Sequence, residues 1–282
     1  MARYTAWAAF VGAVVLVAGC GPEKELPTAG LSSEGAGTQR PVAPAKSDPE
    51  AKAVIDRAVK ALTGGKLELL AKGKFCRCVM KGQMFSIEQA NQANDTNRTV
   101  AVAWPDRFFS SDERFSLGTR MLVEAWLRRP DLAIANNGAP VPTPNIDVLE
   151  RWLAADVVGQ NWMPLLLPVT DPKAVVFDLE QITAGNRELS RIKLALGEFP
   201  FYLLTFDAKT DLLLRVEYTN SMDNVLRPTT MVFSEHKNVD GLMLPHQFEC
   251  RHNGAVVEKL TVEKWAFPDT ISADEFSPPK KK

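Results

Sequence analysis

No sign of charge dominates this chain: 33 Lys and Arg stand against 34 Asp and Glu, a formal net charge of -1. That balance argues against a nucleic-acid partner, whose binding domains carry a marked basic excess. Histidine is scarce, with only His236, His246 and His252. HExxH, GxSxG, a P-loop and GxGxxG are all missing, which excludes the common zinc-hydrolase, serine-hydrolase and nucleotide-binding signatures. The neighbouring carboxylates Asp112-Glu113 and Asp274-Glu275 face opposite ways on a strand and read as solvated. Nothing in these residues points to an enzyme or a cofactor.

Long apolar runs are also few. "AWAAFVGAVVLVAG" is too short for a comfortable membrane span. Preceded by Arg3 and followed by Cys20, it reads as a cleavable export signal over residues 1-19. "LVAGC" resembles the lipobox of bacterial lipoprotein signals. The resemblance implies that Cys20 is acylated, palmitate-type chains anchoring the protein to a membrane. Gly21 rather than Asp after the cysteine favours the outer membrane, with the body facing the periplasm. Two or three chains, at ~0.8 kcal/mol per buried methylene, hold almost permanently. Residues 20-47 are rich in Pro, Gly, Ala, Ser and Thr and read as a tether. Residues 279-282, ending in Lys280-Lys281-Lys282, read as a solvated basic tail.

Between them, 48-278 forms the body. "SDPEAKAVIDRAVKALTGG" predicts a helix: Ser47 or Asp48 caps it, Pro49 suits the first turn, and Gly64-Gly65 ends it. Val54, Ala58 and Leu62 recur at four-residue spacing, with Ile55 and Val59 beside them. A second helix is expected from about Asn145 to Val158, with Ile146, Leu149, Trp152 and Leu153 on one side. The rest reads as strands joined by short turns, which predicts an antiparallel sheet that must close or cover its apolar face. Turns fall near Gly197, Asp207–Asp211, Asn220–Asn224, Asp240-Gly241 and Asn253-Gly254. Simple alternation puts Leu212, Leu214, Val216 and Tyr218 on one side, opposite Leu213, Arg215 and Glu217.

"FDAKTDLLLRVEY", "NVDGLMLPHQFEC" and "VEKLTVEKWAFPDTISADEFSPP" resemble the C-terminal half of outer-membrane lipoprotein-sorting proteins, the LolA/LolB-like family. "ALTGG", "WPDRFF" and "PLLLP" fit more loosely. The resemblance implies a mainly β (α+β) fold: a half-open antiparallel β-barrel of about eleven strands, with helices covering the concave mouth. It also implies a cavity that takes lipid or lipoprotein acyl chains, for transfer to or acceptance at the outer membrane. The expected lining is Leu204, Phe206, Leu212, Leu214, Val216, Leu244 and Phe248, with Trp152, Trp162, Met163, Leu165 and Leu166 near the mouth. In the soluble carriers of that family an arginine before the proline of P-x-x-F helps latch the lid; Trp104 stands there in this chain. The alternative is a structural or protein-interaction module of the envelope, its barrel filled by its own side chains. Either way a monomer is expected.

Cys76, Cys78, Cys250 and His252 form two pairs at two-residue spacing, and in a strand such positions share a face. Three arrangements are open: packed free thiols, a disulfide from Cys250 to Cys76 or Cys78, or a Cys₃His metal site.

Overall fold

The computed structural model describes residues 43–279, apart from 87–91, 117–118, 144 and 223–224. The export signal, Cys20, most of the tether and Lys280–Lys282 lie outside the described residues.

The first element is the expected helix, α1 (Pro49–Thr63). Asp48 caps it by accepting from the Glu50 amide at 2.7 Å, and Gly64 closes it in the left-handed region. Ala51, Val54, Ile55, Ala58, Val59 and Leu62 are its buried stripe. Ser47 serves the sheet instead of the helix. Its Oγ accepts from the Val176 amide at 3.1 Å, while the Asp48 amide donates to the Val176 carbonyl at 2.8 Å. The chain thus covers part of a sheet edge that would otherwise be bare.

Strands follow in hairpins: β1 (Phe75–Ser86), β2 (Gln92–Ala103), β3 (Arg107–Ser116), β4 (Thr119–Arg128), β5 (Asp131–Asn136) and the two-residue β6 (Ala139–Pro140). Helix α2 (Ile146–Val157) comes next and runs on into a π-turn, Val158–Trp162, and a 3-10 turn, Met163–Leu165. We call residues 158–165 the strap. The second run of strands is β7 (Ala174–Ala184), β8 (Arg187–Leu196), β9 (Tyr202–Asp207), β10 (Leu213–Met222), β11 (Val225–Ser234), β12 (Lys237–Val239), β13 (Leu242–Leu244), β14 (Gln247–His252) and β15 (Ala255–Ala266). Turn chemistry places them: Asp240-Gly241 and Asn253-Gly254 all take positive φ, the geometry that tight hairpins need.

Thirteen strands make one antiparallel sheet in the order β6-β5-β4-β3-β2-β1-β15-β14-β11-β10-β9-β8-β7, and β12 pairs with β13 as a separate ribbon. The count exceeds the eleven implied by resemblance, β6 being only a short edge. The sheet stays open, since β6 and β7 lie at its two ends. The first and last strands meet at its centre, where Gly82 faces Leu260. A Cβ at Gly82 would lie 2.0 Å from the Lys259 carbonyl oxygen, so only glycine allows this approach.

One continuous core fills the concave side beneath α1, α2 and the strap. A second, small one lies elsewhere: Ile271 and Phe276, from the C-terminal segment, pack on Ala101 and Ala103. Arg77 pairs there with Glu275, which is therefore not simply solvated. Among the described residues no helix is long and apolar enough to cross a membrane.

Candidate functional site

The concave side is the candidate site. Leu204, Phe206, Val216 and Leu244 are wholly buried on it, and Phe248 nearly so. Leu214 is not among them, which corrects the alternation drawn from sequence. β10 carries a bulge: Leu213 pairs with Phe206, yet Arg215 pairs with the next residue, Thr205. The extra residue, Leu214, shifts the parity. Leu213 and Val216 therefore both face the core, and Leu214 stays half-exposed outside it. Leu212 precedes the strand and is half-buried beside a small hollow that it shares with Leu62, Pro164 and Leu166.

Trp152 and the strap residues Trp162, Met163 and Leu165 do not rim an empty mouth; they fill it. Trp162 and Met163 are fully buried and Leu165 is 2% exposed. Trp104 meets Trp162 edge to face at 4.9 Å between ring centroids. The position where resemblance places a latching arginine thus holds the strap by ring contact. Gly159 lets the strap sit this low, because a Cβ there would lie 2.6 Å from the Tyr218 ring. Ile146, expected on the buried side of α2, is 39% exposed.

Between strap and sheet a hollow remains, walled by Cys76, Cys78, Met80, Val100, Met231, Phe248, Leu260 and Trp265, with Arg98, Gln160, Asn161 and Glu258 at its polar part. The room it leaves for the centre of a water-sized sphere is about 20 Å³. That accommodates a water or two, not an acyl chain.

Two charged clusters flank the hollow, and neither was evident from spacing. In the first, Arg98 grips Asp112 and Glu258 together: Nε donates to Asp112 Oδ1 at 2.5 Å, Nη2 to Glu258 Oε1 at 2.7 Å and Nη1 to Glu258 Oε2 at 3.0 Å. Arg114 Nη2 reaches Asp112 Oδ2 at 3.4 Å. Asp112 is only 5% exposed, which corrects its reading as a solvated carboxylate. Burial works against charge on both Arg98 and Glu258, and attraction overrides it: Asp112 and then Glu258 hold the guanidinium pKa up, and Arg98 holds the Glu258 carboxyl pKa down.

The second cluster seats α2. Asp156 accepts from Tyr218 Oη at 2.7 Å, Asn220 Nδ2 at 2.7 Å and Arg227 Nη2 at 2.5 Å. The Arg227 guanidinium also stacks on the Trp152 ring at 3.8 Å. Helix and sheet are thus tied by one buried carboxylate with three donors from β10 and β11.

Among the described residues the cysteines, Cys76, Cys78 and Cys250, are three buried free thiols. Register explains why a bridge from Cys250 to Cys76 or Cys78 does not form. Cys250 faces Glu258 across β14 and β15, and Glu258 faces Met84 across β15 and β1. Cys250 is therefore level with Met84, six residues beyond Cys78 and about 20 Å along the strand, far outside disulfide reach. The same separation takes apart the Cys₃His set: among the described residues no three His, Cys, Asp or Glu side chains gather to hold a metal. Burial pushes the Cys76, Cys78 and Cys250 thiols up, so they stay protonated and line the hollow as small apolar groups.

His252 lies 3.6 Å from Cys250 Sγ through Nε2. Burial, then the nearby Arg227 charge, lowers its pKa from 6.5 to about 4, against the opposing pull of Asp156 and Glu258. The unfolded chain takes up this proton near pH 6.5, and the folded chain only near 4. Stability is therefore full above about pH 6.5 and falls as pH drops toward 4, by about 2–3 kcal/mol at 1.36 kcal/mol per unit. Urea unfolding of wild type and His252→Gln across this range should diverge in slope, the variant being flatter. Parallel curves would remove His252 from the acid response.

A half-open antiparallel barrel with a helix and strap over its concave side is a class of fold with solved examples. It is the fold of the LolA superfamily, as the resemblance implied. A LolA superfamily protein from Nitrosomonas europaea superposes with a TM-score of 0.52 at 9% identity, over 80% of this chain and 97% of that one. An outer membrane lipoprotein-sorting protein domain from Vibrio parahaemolyticus shows 11% identity over 80% and 97%, with a TM-score of 0.43. A DUF1329 family protein from Desulfovibrio piger shows 11% over 82% and 98%, with 0.46. No protein-family model and no curated protein matches the sequence; what is shared at these identities is the fold.

Proposed function

We propose that this protein is a non-catalytic envelope lipoprotein, anchored through Cys20 and facing the periplasm, that takes lipid or lipoprotein acyl chains beneath its strap and passes or accepts them at the outer membrane. One observation carries the reading. The strap has an apolar underside, Trp162, Met163 and Leu165, lying in the concavity of an open sheet, and its helix is held by a separate polar seat at Asp156. An apolar segment in such a place can be exchanged for a chain of like polarity at little net change in buried area. An acyl chain at ~25 cal/mol per Å² buried has ample driving force to make the exchange.

The second reading is a structural or interaction module filled by its own side chains. The small size of the hollow favours it. The two separate in one experiment: the full chain is extracted natively from membranes and weighed intact by mass spectrometry, then challenged with a fluorescent fatty-acyl probe. A co-purifying lipid, or probe bound at one per protein and displaced by lipid, is the expected result. Neither lipid nor probe would leave the self-filled module.

A further inference from the structure

The polar part of the hollow carries information about the head that an incoming chain bears, an inference that rests on the acyl-binding reading above. Two charged side chains line it, Arg98 and Glu258, and they cancel; the ion pairs next to them, Arg98 and Arg114 with Asp112 and Arg227 with Asp156, add no net charge either. Each is spoken for. Four of the five N–H groups of Arg98 go to Asp112 and Glu258 as two bidentate pairs. Arg227 is committed to Asp156 and to the Trp152 face.

An anionic head entering here meets guanidinium edges already occupied by carboxylates. An ammonium head meets carboxylates already occupied by guanidinium. Either leaves one buried charge unmatched, the expensive case in a desolvated site. Hydrogen-bonding capacity, by contrast, is to hand. Gln160 and Asn161 line the hollow, and the only hydrogen bond of the Gln160 side chain among the described residues is a 3.4 Å contact with Tyr218 Oη. Next to them, the indole Nε1 of the fully buried Trp162 has no acceptor among the described residues.

We infer that the site selects acyl chains borne on an uncharged, hydrogen-bonding head, an ester or an amide, over free fatty acids, anionic lysophospholipids and alkylamines of equal chain length. Gln160 and Asn161 meet the carbonyl and hydroxyl groups of that head, and the Arg98–Asp112–Glu258 cluster excludes net charge.

Competition against the fluorescent fatty-acyl probe on the full chain tests this at pH 7.5. The competitors are monopalmitoylglycerol, an uncharged tripalmitoyl-cysteinyl peptide amide, palmitate, palmitoyl-lysophosphatidylglycerol and hexadecylammonium. At least one of the two uncharged ester-bearing probes should compete about tenfold better than palmitate, and the tighter of the two distinguishes a free glyceride source from a lipoprotein one. Glu258→Gln leaves one Arg98 edge unmatched, so palmitate should gain about tenfold while monopalmitoylglycerol moves less than threefold. If that variant does not fold, the wild-type ranking decides. Palmitate equal to or tighter than both uncharged probes overturns the selectivity and leaves acyl binding standing. Failure of every competitor and of the probe itself overturns both.

Discussion

Replacing Asp156 with alanine is expected to lower global stability by about 3–5 kcal/mol, the range seen when one partner of a buried charge pair is removed. Three donors lose their acceptor at once: Tyr218 Oη, Asn220 Nδ2 and Arg227 Nη2. Arg227 is then left charged over Trp152 without its ion-pair partner among the described residues. Because the carboxylate lies on the helix and its donors lie on the sheet, the loss should concentrate at the joint. Amide hydrogen exchange should quicken over 146–165 before it quickens in β10 and β11. Urea titration gives the size of the effect and exchange gives its place. A change under about 1 kcal/mol, well below that range, or exchange rising evenly through the sheet, would show that Asp156 is not what seats the helix.

Trp162→Ala is the second large effect. The indole is fully buried and touches the Trp104 ring; removing such a side chain costs about 3–5 kcal/mol through lost contacts and the cavity left behind. At roughly 2–4 °C per kcal/mol for a domain of this size, the melting temperature should drop by about 10 °C. The same substitution opens new space beneath the strap, beside the hollow that Gln160 and Asn161 line. It should therefore bind the fluorescent fatty-acyl probe at least tenfold tighter than wild type does, even as it melts earlier. Lower stability with unchanged probe affinity would mean that the space freed by the indole does not connect with a place where a chain can lie.

Much of the fold is legible in the sequence because its signals are local. Asp48, Pro49, Gly64 and the four-residue recurrence of Val54, Ala58 and Leu62 define α1. The Asp-Gly and Asn-Gly pairs define the hairpins they close. Three things are not local. The bulge at Leu214 breaks alternation with no glycine or proline to announce it. The junction of β1 with β15 joins segments nearly two hundred residues apart, a distance that hides the register between Cys78 and Cys250. Asp112, Asp156 and Glu258 look like ordinary surface acids until β2, β3, β11, β15 and α2 bring Arg98 and Arg227 beside them. The cavity wall suffers from the same limit. Apolar residues on the concave face are readable as such, but whether they face space, one another or a strap depends on how 158–165 folds back.

The meeting of the first and last strands bears on how the chain reaches its native state. Until Ala255–Ala266 is in place, β1 keeps a bare hydrogen-bonding edge, and the thiols of Cys76 and Cys78 lack the cover that buries them in the finished fold. Maturation is therefore gated by the arrival of the carboxyl-terminal segment. Nascent chains cut short before that strand should be aggregation-prone, with Cys76 and Cys78 uncovered, whereas the finished molecule encloses both thiols.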